Sequence, residues 1–515
     1  MKSTLMLLVS ATTALAAGFI PNVRVDHQNL PNHRCVDPAI AVGPGTLSDQ
    51  TLYAVFQDDS TAGVVARRSD VVFQKSKDAG ATWLTDDKIV RRGERFAMYP
   101  DVTTDSDGNI YIVYTEEDAS YDGHFFCVHS TDGGETWSSP VKIDDNAAAV
   151  GVGWARIAAD SAGNLFCAWN DDRTGRIHIW SSVSTDRGTT WSPNVRVCSD
   201  SAHHIDCHHA DVFVQPGTNR YLVAASGYYS YFHANLYRST DMGQTFQPRV
   251  QLDTFEGYTG QPHVVADRDH IICDYTGADE SIGGFRTFTE ARTFYTGPDT
   301  WGGPVSVVTN LDTLYSSYYN GARLALSPDG RVHTALMYNR TFSEYDLAPL
   351  DGICYVFSTD HGTSWSDLTR INDSLCITQN PDIGADSAGN AYVVWQDGRN
   401  HRGEIWFSTN NDAGIAESPT HEAPRTRLTV EPSVFSRTTN IRLSASSFTA
   451  RRSAVSIYDA SGLLVRSLAL PASPSRGPCS LTWNGGDDTG HGCAPGAYLV
   501  RACGATAKVV LLSSE

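Results

Sequence analysis

Short apolar stretches alternate with polar turns along most of the chain, and the same succession returns at regular intervals. Each repeat opens with a brief strand, of which Pro381-Asp382-Ile383 is one example. A turn such as Asp386 to Asn390 follows, and then a longer apolar strand such as Ala391 to Trp395. A polar loop, a third strand, a turn rich in Asp and Gly and an outer strand complete the repeat. Because period-two alternation and Gly-rich turns are typical of strands, the pattern predicts an all-β chain of four-stranded antiparallel sheets.

The turn before the outer strand has a recurring spelling, S-x-D-x-G-x-T-W, that sets the length of the repeat. Its side chains suit a structural turn, because Asp can bond its own backbone, Gly permits positive φ, and the aromatic residue can enter the core. The five good copies are centred on Asp78, Asp132, Asp186, Asp241 and Asp360. They are spaced by 54, 54, 55 and 119 residues, and the long interval contains a degenerate copy near Asp299. With a further degenerate copy at Asn410, we expect seven repeats.

The last repeat lacks an outer strand after Asn410, and the N-terminal segment can supply it. Pro21-Asn22-Val23-Arg24-Val25 repeats the spelling of Pro193 to Val197, which is the outer strand of the third repeat. We therefore predict that Val23 to Val25 pairs with Ile405 to Ser408 and closes a seven-bladed β-propeller without a bare sheet edge.

The repeated turn resembles the Asp box, or bacterial neuraminidase repeat, of the sialidase-type β-propellers. The resemblance covers roughly residues 20 to 418 and implies a propeller whose boxes lie on the face opposite the active site. Sialidases themselves have six blades, so a six-bladed fold is the alternative. The F/Y-R-I-P motif of that family is absent, and the nearest segment, His33 to Pro38, has different spacing.

A second region follows a stretch with linker composition, residues 419 to 427, which includes Pro419 and Pro424. Residues 428 to 515 contain short alternating strands, and we expect a small β-sandwich. The spellings Val455 to Asp459, Trp483 to Gly490 and Gly496 to Arg501 resemble the FlgD-type immunoglobulin-like domain and the related sorting domains of type IX secretion. That resemblance implies export and possible attachment to the cell surface, whereas a plain sandwich that only spaces the propeller is the alternative.

The first 17 residues have the composition of a secretory signal peptide, with Lys2, an apolar run and an Ala14-Leu15-Ala16 ending. The predicted order is therefore a signal peptide at 1 to 17, the propeller at 18 to 418, the linker and the sandwich. No later run has the ~20 apolar residues of a transmembrane helix. The net charge of -19 argues against nucleic acid as a partner. A secreted or cell-surface protein is expected.

The chain has 11 cysteines, and an odd number leaves at least one of them unpaired. Cys198 and Cys207 are the expected local disulfide, and Cys493 with Cys503 is a weaker second candidate. Cys127, Cys167 and Cys354 lie in predicted strands and are expected to be buried apolar residues.

In six of the seven repeats, one position carries an ionisable residue where a propeller would place the mouth of its central channel. From the first repeat to the last it is occupied by Ala39, Asp101, Arg156, Asp211, His263, Arg323 and Asp382. Arginines there can hold a ligand carboxylate, and Asp or His can transfer protons. The alternative for each residue is an acid-base pair that only stabilises the channel. In a closed propeller these equivalent positions would form a ring around the channel mouth, and we call their ionisable side chains the ring residues. We expect the ring residues to mark the ligand site, with Arg156 and Arg323 accessible to an anion.

Other polar groups are expected on the same face, including Asp171 to Arg173, Asp397 to Arg399, Tyr228-Tyr229, Tyr318-Tyr319 and Arg340. The segment His203 to His209 contains four histidines, but its spacing matches no zinc motif, so no metal and no cofactor are predicted. Two functions remain open. One is a sialidase-like glycoside hydrolase. The resemblance implies three arginines for a substrate carboxylate, a tyrosine nucleophile activated by a glutamate and an aspartate as acid-base catalyst, but no residue of this chain can be assigned to the catalytic roles. The other is a non-catalytic module that binds extracellular glycan or protein.

Overall fold

The computed structural model describes residues 19, 21–27, 34–59, 69–92, 96–118, 120, 122–198, 206–228, 232–254, 258–279, 286–308, 323–338, 352–374, 376–399, 403–411, 427–431, 434–444, 454–458, 464–469, 479–487, 491–502 and 505–513. The chain forms two compact units, Met1–Ile415 and Ala416–Glu515. Strands dominate both units, and the helix found among the described residues is one 3-10 turn at Leu47–Asp49. The segment predicted to be a signal peptide lies outside the described residues.

The first unit consists of antiparallel meanders, each with an innermost, a second, a third and a short outer strand. Meander 1 comprises Cys35–Val42, Leu52–Asp58, Asp70–Ser76 and Lys88–Arg92. Meander 2 comprises Phe96–Thr104, Ile110–Glu117, Asp122–Ser130 and Val141–Lys142. Meander 3 comprises Val150–Ala159, Leu165–Asp171, His178–Ser184 and Val195–Arg196. Meanders 2 and 3 join through a short pairing of Val150 and Gly151 with Gly123 and Asp122.

The later meanders repeat this order. Meander 4 comprises Asp206–Val214, Tyr221–Tyr228, Phe232–Ser239 and Val250–Gln251. Meander 5 comprises Tyr258–Ala266, His270–Asp279, Arg286–Tyr295 and two short strands, Thr300–Trp301 and Val305–Ser306. Meander 6 comprises Arg323–Leu326, Val332–Tyr338, Gly352–Ser358 and Thr369–Arg370. Meander 7 comprises Thr378–Ala385, Ala391–Asp397 and Glu404–Thr409, with Val23–Arg24 as its outer strand.

The N-terminal strand pairs with the end of the repeat region as the sequence predicts. Val23 is opposite Phe407 and Arg24 is opposite Trp406. The next backbone N–H, of Val25, donates to the carbonyl of Ile405 over 2.8 Å. The N-terminal segment therefore covers the edge of meander 7.

Each Asp box is a closed hydrogen-bonded turn. In the second copy, the Ser130 hydroxyl donates to Asp132 and accepts from the Gly134 N–H, both over 2.8 Å. The Asp132 carboxylate accepts from the backbone and hydroxyl of Thr136. The same bonds recur around Asp78, Asp186, Asp241 and Asp360. The carboxylates of the good boxes are thus committed to the turn, as the sequence predicts.

Contacts between neighbouring meanders supply the core of the first unit. Trp83, at the end of the first box, packs edge-on against Phe407 with 5.4 Å between ring centroids. Trp169 and Trp395 are fully buried, as are Cys127, Cys167 and Cys354. The apolar second strands predicted from the sequence therefore lie between sheets, where both of their faces are covered.

The second unit has two sheets around one core. One sheet contains Arg427–Glu431, Thr439–Ser444 and Cys479–Trp483. The other contains, in spatial order, Val434–Phe435, Ala505–Leu511, Gly496–Ala502, Ala454–Tyr458 and Leu464–Ala469. Trp483 is fully buried and contacts Phe435 and Tyr498 of the facing sheet. The short parallel strand Val434–Phe435 was not among the predicted strands, since two residues carry no alternation signal. None of the helices described in either unit is long and apolar enough to cross a membrane.

Candidate functional site

Six of the seven innermost strands described have a β-bulge near their beginning. In five of them a non-glycine residue at the bulge has positive φ. These residues are Asp37, Tyr99, His209, Gln261 and Asn380, with φ between 46 and 54°. Meander 3 has a bulge at the same place, which contains Gly153 and Trp154. Non-glycine residues with positive φ are strained, and the strain recurs here at one equivalent place in the innermost strands. Positive φ also recurs in the Asp boxes, at Ala79, Arg187, Met242 and His361, so the strain alone does not mark a site, and the pocket at this end is the observation that does.

The bulge residues lie two positions before the ionisable residues picked out from the sequence, and the two sets line a common pocket. The pocket lining includes Asp37, Tyr99, Trp154, Arg156, His209, Asp211, Gln261, His263, Arg323 and Asn380. All six predicted ring residues, including Asp101 and Asp382, line the adjoining channel between the innermost strands. The Asp boxes follow third strands, which run parallel to the innermost strands, so the boxes lie at the opposite end of the sheets.

Three of the ring aspartates bridge neighbouring meanders. Asp101 accepts the Ile157 N–H over 2.9 Å, Asp211 accepts that of Val264 over 2.9 Å, and Asp382 accepts that of Ile40 over 2.8 Å. In each case the donor belongs to the innermost strand of the next meander. It is the residue that directly follows the ring position in that strand. The bond from Ile40 to Asp382 links meander 1 to meander 7. These carboxyls therefore have a structural role in addition to any contact with a ligand.

Burial governs the protonation of these acids. It raises the pKa of Asp101, against the opposing effect of Arg156. Burial raises the pKa of Asp211 to about 6, and burial together with the charge of Asp101 raises that of Asp382 to about 7. Asp37 is raised to about 6 by burial, although Arg156 nearby and a hydrogen bond from Asn380 oppose the shift. Several acids at the mouth thus change charge close to neutral pH.

The two ring arginines contact acids only at long range. Nη1 of Arg156 lies 3.7 Å from Asp101. Arg323 lies 3.8 Å from Asp211 and 3.9 Å from Asp382. These separations satisfy ion pairing but exceed hydrogen-bonding distance. The side chains of Arg156 and Arg323 are 16% and 23% exposed, so they are partly open to the channel.

Two histidines in the pocket have pKa values shifted in opposite directions. His263 is buried and its Nδ1 lies 3.0 Å from Asp274, so the carboxylate raises the pKa of His263 although burial alone would lower it. Burial lowers the pKa of His209 to about 3, with help from His208 and Arg156, and His209 is neutral. His209 also packs against Trp154, whose ring centroid is 4.9 Å away, and Trp154 lies 5.2 Å from Tyr99. These three rings form an aromatic surface beside the arginines.

Several groups expected near the mouth are already committed to the fold. Arg173 forms an ion pair with Asp171 at 2.6 Å and lies over the ring of Trp180. Arg399 repeats this arrangement with Asp397 at 2.8 Å and with Trp406. Both arginines therefore act as structural links. Tyr229, Tyr318, Tyr319 and Arg340 lie outside the described residues.

The histidine-rich segment is partly described. Asp206 to His209 form the start of an innermost strand, whereas His203 and His204 lie outside the described residues. The expected Cys198–Cys207 disulfide is absent, and both cysteines are buried free thiols that share a hydrogen bond. Cys503 lies outside the described residues, so its pairing with Cys493 remains a prediction.

The described part of the pocket does not reproduce the full residue set implied by the sialidase resemblance. It contains two arginines and no glutamate. A Tyr-Glu hydrogen bond does exist, between Tyr275 and Glu290 at 2.8 Å, but neither residue lines the pocket. The bulge residues are what the sequence reasoning missed. Their signal was present in six of the seven repeats, at one equivalent place just before the Pro or Ala that opens the repeat, namely at Asp37, Tyr99, Trp154, His209, Gln261 and Asn380.

Comparison with known families matches both units. Residues 50–253 match the model of the BNR repeat-like domain, and residues 434–508 match that of the FlgD Ig-like domain. The chain therefore combines a BNR, sialidase-type propeller with a C-terminal FlgD-like immunoglobulin-like domain. The resemblances to the Asp-box propellers and to the FlgD-type domain are confirmed, whereas the resemblance to the sorting domains of type IX secretion stays a prediction.

Solved structures similar to this chain have low sequence identity. A protein of unknown function from Dyadobacter fermentans is 14% identical, with a TM-score of 0.49, and the match covers 76% of this chain and 98% of that one. An alpha-L-arabinanase of Penicillium chrysogenum is 12% identical, with a TM-score of 0.44 and coverage of 77% and 99%. A Trypanosoma rangeli sialidase is 15% identical, with a TM-score of 0.42 and coverage of 76% and 57%. The comparison with curated proteins gives no significant match.

Proposed function

We propose that the propeller has seven blades and that its channel mouth binds an extracellular glycan bearing a carboxylate. The observation that carries the ligand class is the position of Arg156 and Arg323. Both line one pocket, both stand 3.7–3.9 Å from their acidic neighbours, and both are partly exposed. A ligand carboxylate can accept two parallel hydrogen bonds from a guanidinium. The neighbouring acids lie too far from both arginines to accept such bonds.

Two links between the ends of the repeat region support a closed ring of seven blades. Asp382 of meander 7 accepts the N–H of Ile40 in meander 1. On the outside, Val23–Arg24 completes the sheet of meander 7. A ring closed at both its inner and outer strands leaves no free sheet edge at the junction.

Export of the propeller, at residues 18–418, and of the sandwich, at residues 428–515, follows from the signal-like first 17 residues.

The rest of the pocket suits a sugar. The aromatic surface of Tyr99, Trp154 and His209 can cover the apolar face of a pyranose ring. Asp37 and Asp211 have pKa values raised to about 6 by burial, so a protonated fraction can donate to a sugar hydroxyl near neutral pH. A pocket that combines ring surfaces with a few oriented polar groups is typical of small-molecule sites.

Glycan binding without hydrolysis is the function we favour, because Tyr275 and Glu290 lie away from the pocket. Glycan processing is the second candidate, and one observation favours it. An acid whose pKa lies near the working pH is suited to general acid catalysis, and Asp37 meets that requirement. A scaffold that binds protein at the same face is the third reading.

The test is to apply the purified full-length protein to a glycan array and to fluorogenic sialosides and uronides. We expect retention on glycans that carry sialic or uronic acids, no retention on the matched neutral glycans, and no release of fluorophore. Turnover of either substrate would favour processing. Failure to bind any acidic glycan, or equal binding to neutral ones, would contradict the proposal.

A further inference from the structure

A second cluster of polar side chains lies in the first unit at the end of the sheets that carries the Asp boxes, opposite the pocket. Asp267 follows the innermost strand of meander 5, and His270 begins the second strand of the same meander. His361 comes from the Asp box of meander 6, directly after Asp360. Two adjacent meanders thus contribute to the cluster.

The donor atoms of these side chains lie close together. Nδ1 of His270 is 3.0 Å from both carboxylate oxygens of Asp267, and Nε2 of His361 is 3.2 Å from Oδ2. One ligand atom from each residue falls within 4.8 Å of the other two. The imidazole rings stack at 3.9 Å with an angle of 25° between their planes. The side chains are 23–31% exposed, so an ion can reach them from solvent.

The local backbone holds the cluster in place. His361 has a φ of 58°, a conformation fixed by the box turn. The Nε2 atom of His361 lies beside Gly330. A Cβ atom at position 330 would be only 3.0 Å from this nitrogen, so the glycine leaves room for the imidazole ring. Asp267 accepts the N–H groups of Asp269 and His270, both over 2.7 Å.

We propose that Asp267, His270 and His361 form a binding site for a divalent transition-metal ion of the Zn²⁺ class. Two imidazoles and a carboxylate are ligands that Zn²⁺ and its neighbours accept, and the fourth position would hold water. Ligands about 2.0–2.1 Å from a tetrahedral ion lie about 3.3 Å from one another, close to the oxygen-to-nitrogen distances of 3.0–3.2 Å found here. The ion would join meanders 5 and 6 at the end remote from the pocket.

An equivalent contact elsewhere in the unit provides a matched control. Arg187 occupies the same place in the third box, has a φ of 61°, and reaches Asp107 in the corresponding turn of meander 2 at 2.5 Å. The contact is an ion pair with no imidazole, so it joins neighbouring meanders without the two histidine ligands of the proposed site. Ala79 occupies the same box position with a φ of 56°, which shows that alanine is compatible with this turn.

The experiment is calorimetric titration of the untagged full-length protein, stripped with chelator, with ZnCl₂ and separately with CoCl₂. We expect one site whose affinity falls at least tenfold in His361→Ala and is unchanged in Arg187→Ala. The cobalt form of the wild type should show visible absorption that the His361→Ala variant lacks. Excess Zn²⁺ should raise the melting temperature of the wild type and of Arg187→Ala, but not that of His361→Ala, because only the folded site binds.

His361→Arg, which copies the residue of the third box, serves as a second variant in case alanine disturbs the turn. It should fold as the wild type does and lose the same site. The proposal is overturned if the wild type binds neither ion, or if both His361 variants bind Zn²⁺ as tightly as the wild type. In either of those cases the two histidines only share the carboxylate of Asp267.

Discussion

Replacing Asp382 by Asn separates the two roles of the ring aspartates. In the wild type the carboxyl accepts the Ile40 N–H over 2.8 Å and lies 3.9 Å from Arg323. Asn keeps an oxygen for the backbone bond and removes the charge. If burial makes the ionised form costly, as the pKa of about 7 indicates, the variant should be more stable than the wild type at alkaline pH.

The magnitude follows from proton linkage. The unfolded chain gives Asp a pKa of about 3.9. The folded value of about 7 exceeds this, so the folded state binds the proton more tightly. That stabilisation is fully present below pH of about 4 and is lost as the pH rises to about 7. Three pKa units correspond to about 4 kcal/mol, and we expect about half of this because the Asp382 side chain is 22% exposed and solvent screens its charge. Relative to the wild type, Asp382→Asn should gain about 2 kcal/mol between pH 4 and pH 8.

The assay is thermal unfolding of both proteins between pH 4 and pH 8, followed by tryptophan fluorescence. The melting temperature of Asp382→Asn, relative to that of the wild type, should increase as the pH rises. Asp382→Ala is the control, since it also removes the charge but leaves the N–H of Ile40 without its acceptor, so it should be about 1–3 kcal/mol less stable than Asp382→Asn at every pH. A variant that loses stability relative to the wild type as the pH rises would show that ionised Asp382 is held by Arg323, and would refute the reasoning.

Two further predictions follow from the same contacts. Ser130→Ala should lower the free energy of unfolding by about 1–3 kcal/mol, because the buried N–H of Gly134 loses its acceptor; urea unfolding at neutral pH measures this, and a change below 0.5 kcal/mol would contradict it. Affinity for an acidic glycan should rise as the pH falls from about 8 to 5, since protonation of Asp37 and Asp211, with pKa values of about 6, removes negative charge from the mouth. Calorimetric titration should show a flatter pH profile for Asp37→Asn, and affinity that falls with decreasing pH would count against the assigned site.

Much of the fold was predictable because its signals are local. Each Asp box closes through bonds within a few residues, so its spelling predicts its geometry. The pairing of Val23 with Phe407 is a long-range contact, yet a repeated spelling revealed it. The parallel pairing of Val434 with Val510 had no such signal, because the strand is too short to show alternation.

The site was only half predictable. The ring position could be predicted because Asp, Arg or His recurs at one equivalent place in six of the seven repeats. The bulge could not be predicted, because it depends on the register of two paired strands, which composition does not encode. Trp154 and His209 meet across neighbouring meanders, so the aromatic surface also depends on the assembled sheets. The Asp267, His270 and His361 cluster was missed for the same reason, since its histidines lie in different repeats.

The most direct test of the account is the affinity of Arg156→Met/Arg323→Met for a sialylated or uronic-acid glycan, measured with the melting temperature. Each lost charged partner costs about 1.5–3 kcal/mol, so binding should weaken at least about a hundredfold. Melting should change little, since the ion pairs are long and the neighbouring acids can take up protons. Arg173→Met is the matched control, and it should lower the melting temperature while glycan affinity per folded molecule is retained, because Arg173 is locked to Asp171. A stably folded double variant that binds the acidic glycan as tightly as the wild type would contradict the account.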